Sequence, residues 1–157
     1  MNLYPPASTT WDKAEYAAMD RVIASGMFTM GANVAAFEQA FADYLGVKHC
    51  VMVNSGSSAN LLMVAALFFR KAKSLKRGDE VIVPAVSWST TYYPLQQYGL
   101  KLKFVDIDLE TLNYDLAQLA GAVTGNTRLI VAVNLLGNPN DFSAINKIIG
   151  ARDIVLI

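Results

Sequence analysis

The stretch VMVNSGSSANLLMVAAL, Val51 to Leu67, passes from an apolar run into a helical pattern through Asn54-Ser55-Gly56-Ser57-Ser58-Ala59. Ser and Gly are turn formers, and a Ser at such a junction caps the helix that follows. A glycine followed by two hydroxyls at a helix start is also a place for a phosphate. The first N–H groups of a helix lack partners and carry the positive end of its dipole. The loop lacks the Lys of a P-loop and the G-x-G-x-x-G spacing of a dinucleotide fingerprint, so by itself it does not choose between cap and anion site.

The flanking sequence decides the fold class. Short Val/Ile/Leu-rich runs are expected as strands at 49–53, 80–83, 102–105, 129–133 and 154–157, separated by helical patterns at about 57–70, 89–98, 115–122 and 141–149. Apolar runs alternating with helices predict α/β architecture, a mostly parallel sheet covered by helices on both faces. Upstream, 11–25 is helix-like, two glycines break it in SGMFTMG, and NVAAFEQAFADYLG is an amphipathic helix. Its face comprises Val34, Phe37, Phe41, Tyr44 and Leu45, with Gly46 just past its end. The expected organisation is an N-terminal helical segment, 1–46, and an α/β cofactor-binding domain, 47–157, truncated at its C-terminal end. The ending ARDIVLI stops on an apolar run and reads as a fragment.

Composition narrows the function classes. With 157 residues, 54% apolar and 17% charged, the chain is expected to fold around a real core. Lys+Arg and Asp+Glu are equal at 13 each, which argues against a nucleic-acid or anionic-membrane surface. No secretory leader is evident, and no apolar run approaches the ~20 residues of a membrane helix. Cys50 is the single cysteine and fits a reducing compartment, so the expected location is cytoplasmic. Low charge with a positive mean hydropathy suggests surface buried against another chain.

In open α/β sheets ligands bind beyond the carboxyl ends of the strands, where the segments 54–60, 84–91 and 134–141 are expected to converge. Trp88, set among Ser87, Ser89, Thr90 and Thr91, reads in isolation first as a core or interface residue and second as a stacking platform for a flat ring. Asp106 and Asp108 read as turn and cap residues, with no third ligand at metal spacing. NLLGNPND reads as a turn whose Asp141 caps the next helix. His49 reads as a partly buried satisfied side chain, and Cys50 as a small core residue. No lysine has the desolvated setting of a nucleophilic amine.

Taken in order, SGMFTMGANVAAFEQAFADYLGVKHCVMVNSGSSANLL, RGDEVIVPAVSWSTT, YGLKLKFVDIDLETLNYD and NLLGNPNDFSAI resemble the DegT/DnrJ/EryC1/StrS family. Its members are pyridoxal-phosphate enzymes of the aspartate-aminotransferase fold (fold type I) acting on nucleotide-linked keto sugars. The resemblance runs from about Tyr4 to Ile157. It implies that Gly56, Ser57 and Ser58 bind the phosphate of pyridoxal 5′-phosphate, and that Trp88 stacks on its ring. It also implies that Gly31 lies in a turn near the active-site mouth, and that the partners are a nucleotide-linked keto sugar, an amino donor (glutamate by family habit) and a second copy in a homodimer. The family's pyridine-pairing aspartate and Schiff-base lysine match no position here, so no catalytic residue is assigned and the chain alone is expected to be inactive. Within the family, most members are aminotransferases and a minority are sugar 3-dehydratases with a histidine in place of the lysine. NSGSSANLL and LGNP look closer to the dehydratases, SWSTT to the aminotransferases. Family frequency favours the aminotransferase, with the dehydratase as the alternative. From other classes stand a non-catalytic phosphate-binding or dimerisation module and, less favoured without G-x-G-x-x-G, an unrelated Rossmann-like domain.

Overall fold

The computed structural model describes residues 8–157; residues 1–7, part of the expected 1–46 segment, lie outside the described residues. The chain forms two compact units, up to Met52 and from Val53 onward.

In the first unit, α1 (Lys13–Ser25) opens with a capping box in which Asp12 accepts from Ala14 N–H and Glu15 accepts from Asp12 N–H. It stops at Gly26, whose φ of 66° suits a residue without a Cβ. The second helix, α2 (Ala32–Leu45), begins after Gly31 and ends at Gly46 in the same left-handed conformation. Its apolar stripe is present but uncovered. Phe37, Phe41, Tyr44 and Leu45 are exposed, and the aromatic rings stack along the helix at 5.6 and 6.5 Å. Only Ala42 is buried.

The second unit carries α3 (Gly56–Phe68), β1 (Glu80–Pro84), α4 (Ser89–Gln97), β2 (Lys101–Val105), α5 (Leu116–Ala122), β3 (Thr127–Ile130), α6 (Phe142–Ile149) and β4 (Val155–Leu156). The four strands are parallel, in the order β2-β1-β3-β4. Alternate side chains enter opposite cores, as a pleated strand requires. Val81, Val83, Leu129 and Val131 pack with Val64 of α3 and Leu95 of α4. Ile82 and Ile130 pack with Leu119 of α5 and with Ile145 and Ile149 of α6. The α/β class with a parallel sheet covered on both faces is therefore what the chain forms.

The expected strand 49–53 is corrected: residues 49–53 lie in no helix or ladder. Met52 N–H donates to the Glu38 carboxylate at 2.7 Å, and Val51 is exposed. A β-branched run becomes a strand only when its backbone finds a facing edge, and the sheet described here closes its ladders without this run. Elsewhere the expected elements are found with ends shifted by a few residues. The largest shift is at 131–133, which follow β3 but leave the regular ladder.

Candidate cofactor site at the switch point

From β1 the chain steps through α4 to β2 on one side, and from β3 it steps through α6 to β4 on the other. The two halves diverge between β1 and β3, and the carboxyl ends of those strands frame the crevice where ligands of such sheets bind. α3, α4, α5 and α6 all pack on this sheet, and the last three follow β1, β2 and β3 in turn.

At α3 the cap is Ser55, one residue before the expected trio. Its Oγ accepts from Ser58 N–H at 3.2 Å and donates to Ser58 Oγ at 3.2 Å. The cap thus uses only part of the loop's donors. Ser58 N–H is occupied, while among the described residues Gly56 N–H, Ser57 N–H and Ser57 Oγ have no partner. The space at the Cβ position of Gly56 is open, with nothing within 4 Å.

α4 begins beside it, because Asn60 Nδ2 of α3 donates to Thr90 O at 3.2 Å. Trp88 is the residue before α4, makes no side-chain cap, and is 74% exposed. In this chain the indole is not core. Ser57 and Ser58 line a cleft of about 210 Å³ with Leu61, Thr90, Tyr93 and Gln97; Trp88 is not among its lining residues. A second cleft, about 280 Å³, lies between α3, α4, residues 131–134 after β3 and Ile157, with Asn60, Thr91 and Asn134 as its polar lining and Met63, Val64 and Val131 among its apolar lining.

The strand ends are tied by tyrosine hydroxyls on both faces of the sheet. Tyr114, 4% exposed, donates its hydroxyl to Val131 O at 2.7 Å and lies 3.3 Å from Ile82 O. Burial pushes that phenol above its ordinary range. Tyr92 donates to Pro84 O at 2.8 Å, and burial raises its phenol as well. Asp108 accepts from Thr111 N–H, Thr111 Oγ1 and Glu110 N–H, and these bonds hold its carboxyl below the usual range. It closes a turn, as its sequence setting predicts.

Ser55, Asn60, Thr90, Asn134 and Asn140 were not singled out as site residues from sequence. Ser55 had a signal, being the first of three serines and three residues before the amide it caps. The others owe their positions to tertiary neighbours.

The donor set fits a phosphate attached to a flat ring. Two free N–H groups and a free hydroxyl at a helix start suit a dianion, and an exposed indole suits a ring face.

The comparisons with known proteins agree with that chemistry. The model of the DegT/DnrJ/EryC1/StrS aminotransferase family matches residues 9–157. GDP-4-keto-6-deoxy-D-mannose 3-dehydratase of Escherichia coli O55:H7 is 64% identical over 154 residues, covering 98% of this chain and 40% of the relative. The enzyme of that name from Yersinia pseudotuberculosis is 62% identical, covering 98% and 39%. Two sugar aminotransferases among the relatives are each 34% identical. The crystal structure of GDP-4-keto-6-deoxymannose-3-dehydratase with a trapped PLP–glutamate geminal diamine superposes with a TM-score of 0.95 at 64% identity, covering 99% of this chain and 40% of that one. The chain thus spans about 40% of the length of these two curated relatives. The chain belongs to the DegT/DnrJ/EryC1/StrS aminotransferase family.

Proposed function

We propose that the chain is the cofactor-phosphate-holding N-terminal part of a pyridoxal-phosphate-dependent sugar 3-dehydratase whose substrate is a nucleotide-linked 4-keto-6-deoxy hexose. The carrying observation is the 64% identity to the 3-dehydratase along 98% of the chain, against 34% for the aminotransferases. The aminotransferase, the first expectation from family frequency, is the less supported branch. Frequency counts members, whereas identity weighs the residues of this chain, among them NSGSSANLL and LGNP.

Gly56 and Ser57 would offer their N–H groups to the phosphate, with the Ser57 and Ser58 hydroxyls beside them, and Trp88 would cover the ring. When bound, pyridoxal phosphate supplies an electron sink for bond breaking next to a nitrogen-bearing carbon. The chain's own residues bind and orient; none of them moves a proton in this reading. Glutamate as amino donor and a homodimer complete the proposal. The exposed Phe28, Met30, Phe37 and Phe41 support an apolar contact with another chain. A cytoplasmic setting goes with it, and no helix among the described residues is long and apolar enough to cross a membrane.

The test is a graft. This chain replaces the matching part of the Escherichia coli dehydratase, and the chimera is assayed with the GDP-linked keto sugar and glutamate. Dehydration within about tenfold of the parent, a barrier change near 1.4 kcal/mol, supports the reading. Amination of the sugar, or activity below about one hundredth of the parent, would contradict it.

A further inference from the structure

Basic and acidic residues balance over the whole chain, but the parallel sheet separates them. All four strands begin at one edge and end at the other. Asp106, Asp108, Glu110, Asp115 and Asp141 follow the carboxyl ends of β2 and β3. The amino edge is basic. Between α3 and β1 runs FRKAKSLKRGD, Phe69 to Asp79. Backbone bonds lay this segment along that edge. Leu75 N–H donates to Leu67 O at 3.0 Å, Gly78 N–H to Gly99 O at 2.8 Å, and Lys101 N–H to Asp79 O at 2.9 Å. Arg77 lies against Gly99, so close that a Cβ there would sit 2.7 Å from its guanidinium carbon.

Arg70, Lys71, Lys76, Arg77 and Lys101 are exposed, and among the described residues they form no ion pair. Lys73 pairs with Asp153 at 3.0 Å. The other acids at this edge are engaged by neutral donors. Asp79 accepts from Lys76 N–H, and Glu80 accepts from the hydroxyls of Thr124 and Thr127. Phe69, which ends α3 and adjoins these cations, is 80% exposed. A solvated basic face is ordinary, and so is a single exposed ring. Together they form the pattern of an interfacial anchor, in which cations meet anionic head groups and a ring enters the boundary.

We propose that this edge, Phe69 with Arg70, Lys71, Lys76, Arg77 and Lys101, holds the chain reversibly to the surface of an anionic lipid bilayer. The crevice at the carboxyl edge then faces away from lipid and stays open to soluble ligands. Nucleic acid is the less favoured polyanion. Strand-binding grooves use several rings in succession, whereas this segment has Phe69 as its one ring. The equal totals that argue against an anionic-membrane surface describe the whole chain, not this edge. The inference is independent of the cofactor reading.

The test is co-sedimentation of the full chain with vesicles of phosphatidylcholine containing about 30% phosphatidylglycerol, against pure phosphatidylcholine. The anionic vesicles should bind at least about tenfold more tightly, and raising salt from about 50 to about 500 mM should remove most of that difference. Each cation near such a surface strengthens binding about fivefold, so Lys71→Gln/Lys76→Gln/Lys101→Gln should weaken it at least about thirtyfold. Phe69→Ser keeps every charge and should weaken it at least about threefold. All four side chains are exposed, so both variants should keep the wild-type denaturant midpoint. Equal binding to the two vesicle types, or anionic binding that neither variant weakens, would overturn the proposal. A single-stranded oligonucleotide that binds more tightly than the anionic vesicles, and is lost with the same lysines, would assign the edge to nucleic acid and overturn it as well.

Discussion

The helices on the two faces of the sheet begin differently. On one face α5 and α6 are closed by aspartates. Asp115 accepts from Ala117 N–H and Gln118 N–H at 2.9 and 3.0 Å, and Asp141 accepts from Ala144 N–H at 2.9 Å. On the other face α3 is capped by the neutral Ser55, and α4 follows Trp88 with no side-chain cap. A carboxylate at a helix start satisfies the free amides and neutralises the dipole, so an incoming anion meets repulsion there. A neutral cap satisfies one amide and leaves the end positive. The same architecture thus yields two closed helix starts and two open ones. The open pair are the neighbours joined by Asn60 and Thr90. In the proposed reading, capping chemistry, more than the presence of helix ends, decides where a phosphate would be held.

If the faces differ only at their helix starts, their packing beneath should be equivalent. Leu95 of α4 and Ile145 of α6 are both fully buried, one in each core. Replacing either by Ala should cost about 2–5 kcal/mol in denaturant unfolding. A cost below 1 kcal/mol on one side only would mean that the faces are not built alike. Tyr114→Phe, which strips a buried hydroxyl donor from Val131 O, should cost about 1–2 kcal/mol. Phosphate affinity should hardly change, because the tie acts from the aspartate-capped face.

The smallest effect concerns acid. Hydrogen bonds from Gln118 first, and from Ala117, hold the Asp115 carboxyl below its ordinary value of 3.8. Because the folded value lies below the unfolded one, the contribution of this cap is full above pH 3.8 and is lost as pH falls through the folded value. Asp115→Asn should flatten the acid limb of a stability–pH curve and leave the neutral plateau nearly level. An unchanged acid limb would remove Asp115 from the contrast. Ser55 has no carboxyl, so the α3 start should show no such limb of its own.

Much of the fold was legible because apolar runs and helical spacing report which residues must share a side. They do not report whether anything covers that side. The α2 stripe of Phe37, Phe41, Tyr44 and Leu45 is where periodicity places it and still faces outward. The 49–53 run has strand composition but no ladder. At the site, the Ser-Gly-Ser-Ser loop was legible as a helix start, but which serine caps it depends on a 3.2 Å contact that spacing alone leaves open. Trp88 was legible as a candidate, and only the structure takes it out of the core. Asn134 and Asn140 were read as parts of a turn, because the turn around Pro139, which brings the two amides face to face, cannot be inferred from their separation.

The central claim is that a neutral cap keeps the α3 start open to phosphate. The most direct measurement is a phosphate titration of ¹⁵N-labelled wild-type chain and Ser55→Asp, followed at the amides of every helix start in the second unit. Aspartate caps at least as well as serine, so the fold should be retained. The account predicts shifts at Gly56 and Ser57 in the wild type, at least about tenfold weaker binding in Ser55→Asp, and still signals at the starts of α5 and α6 in both. Equal binding by the two proteins, or equal shifts at the aspartate-capped helices, would contradict it.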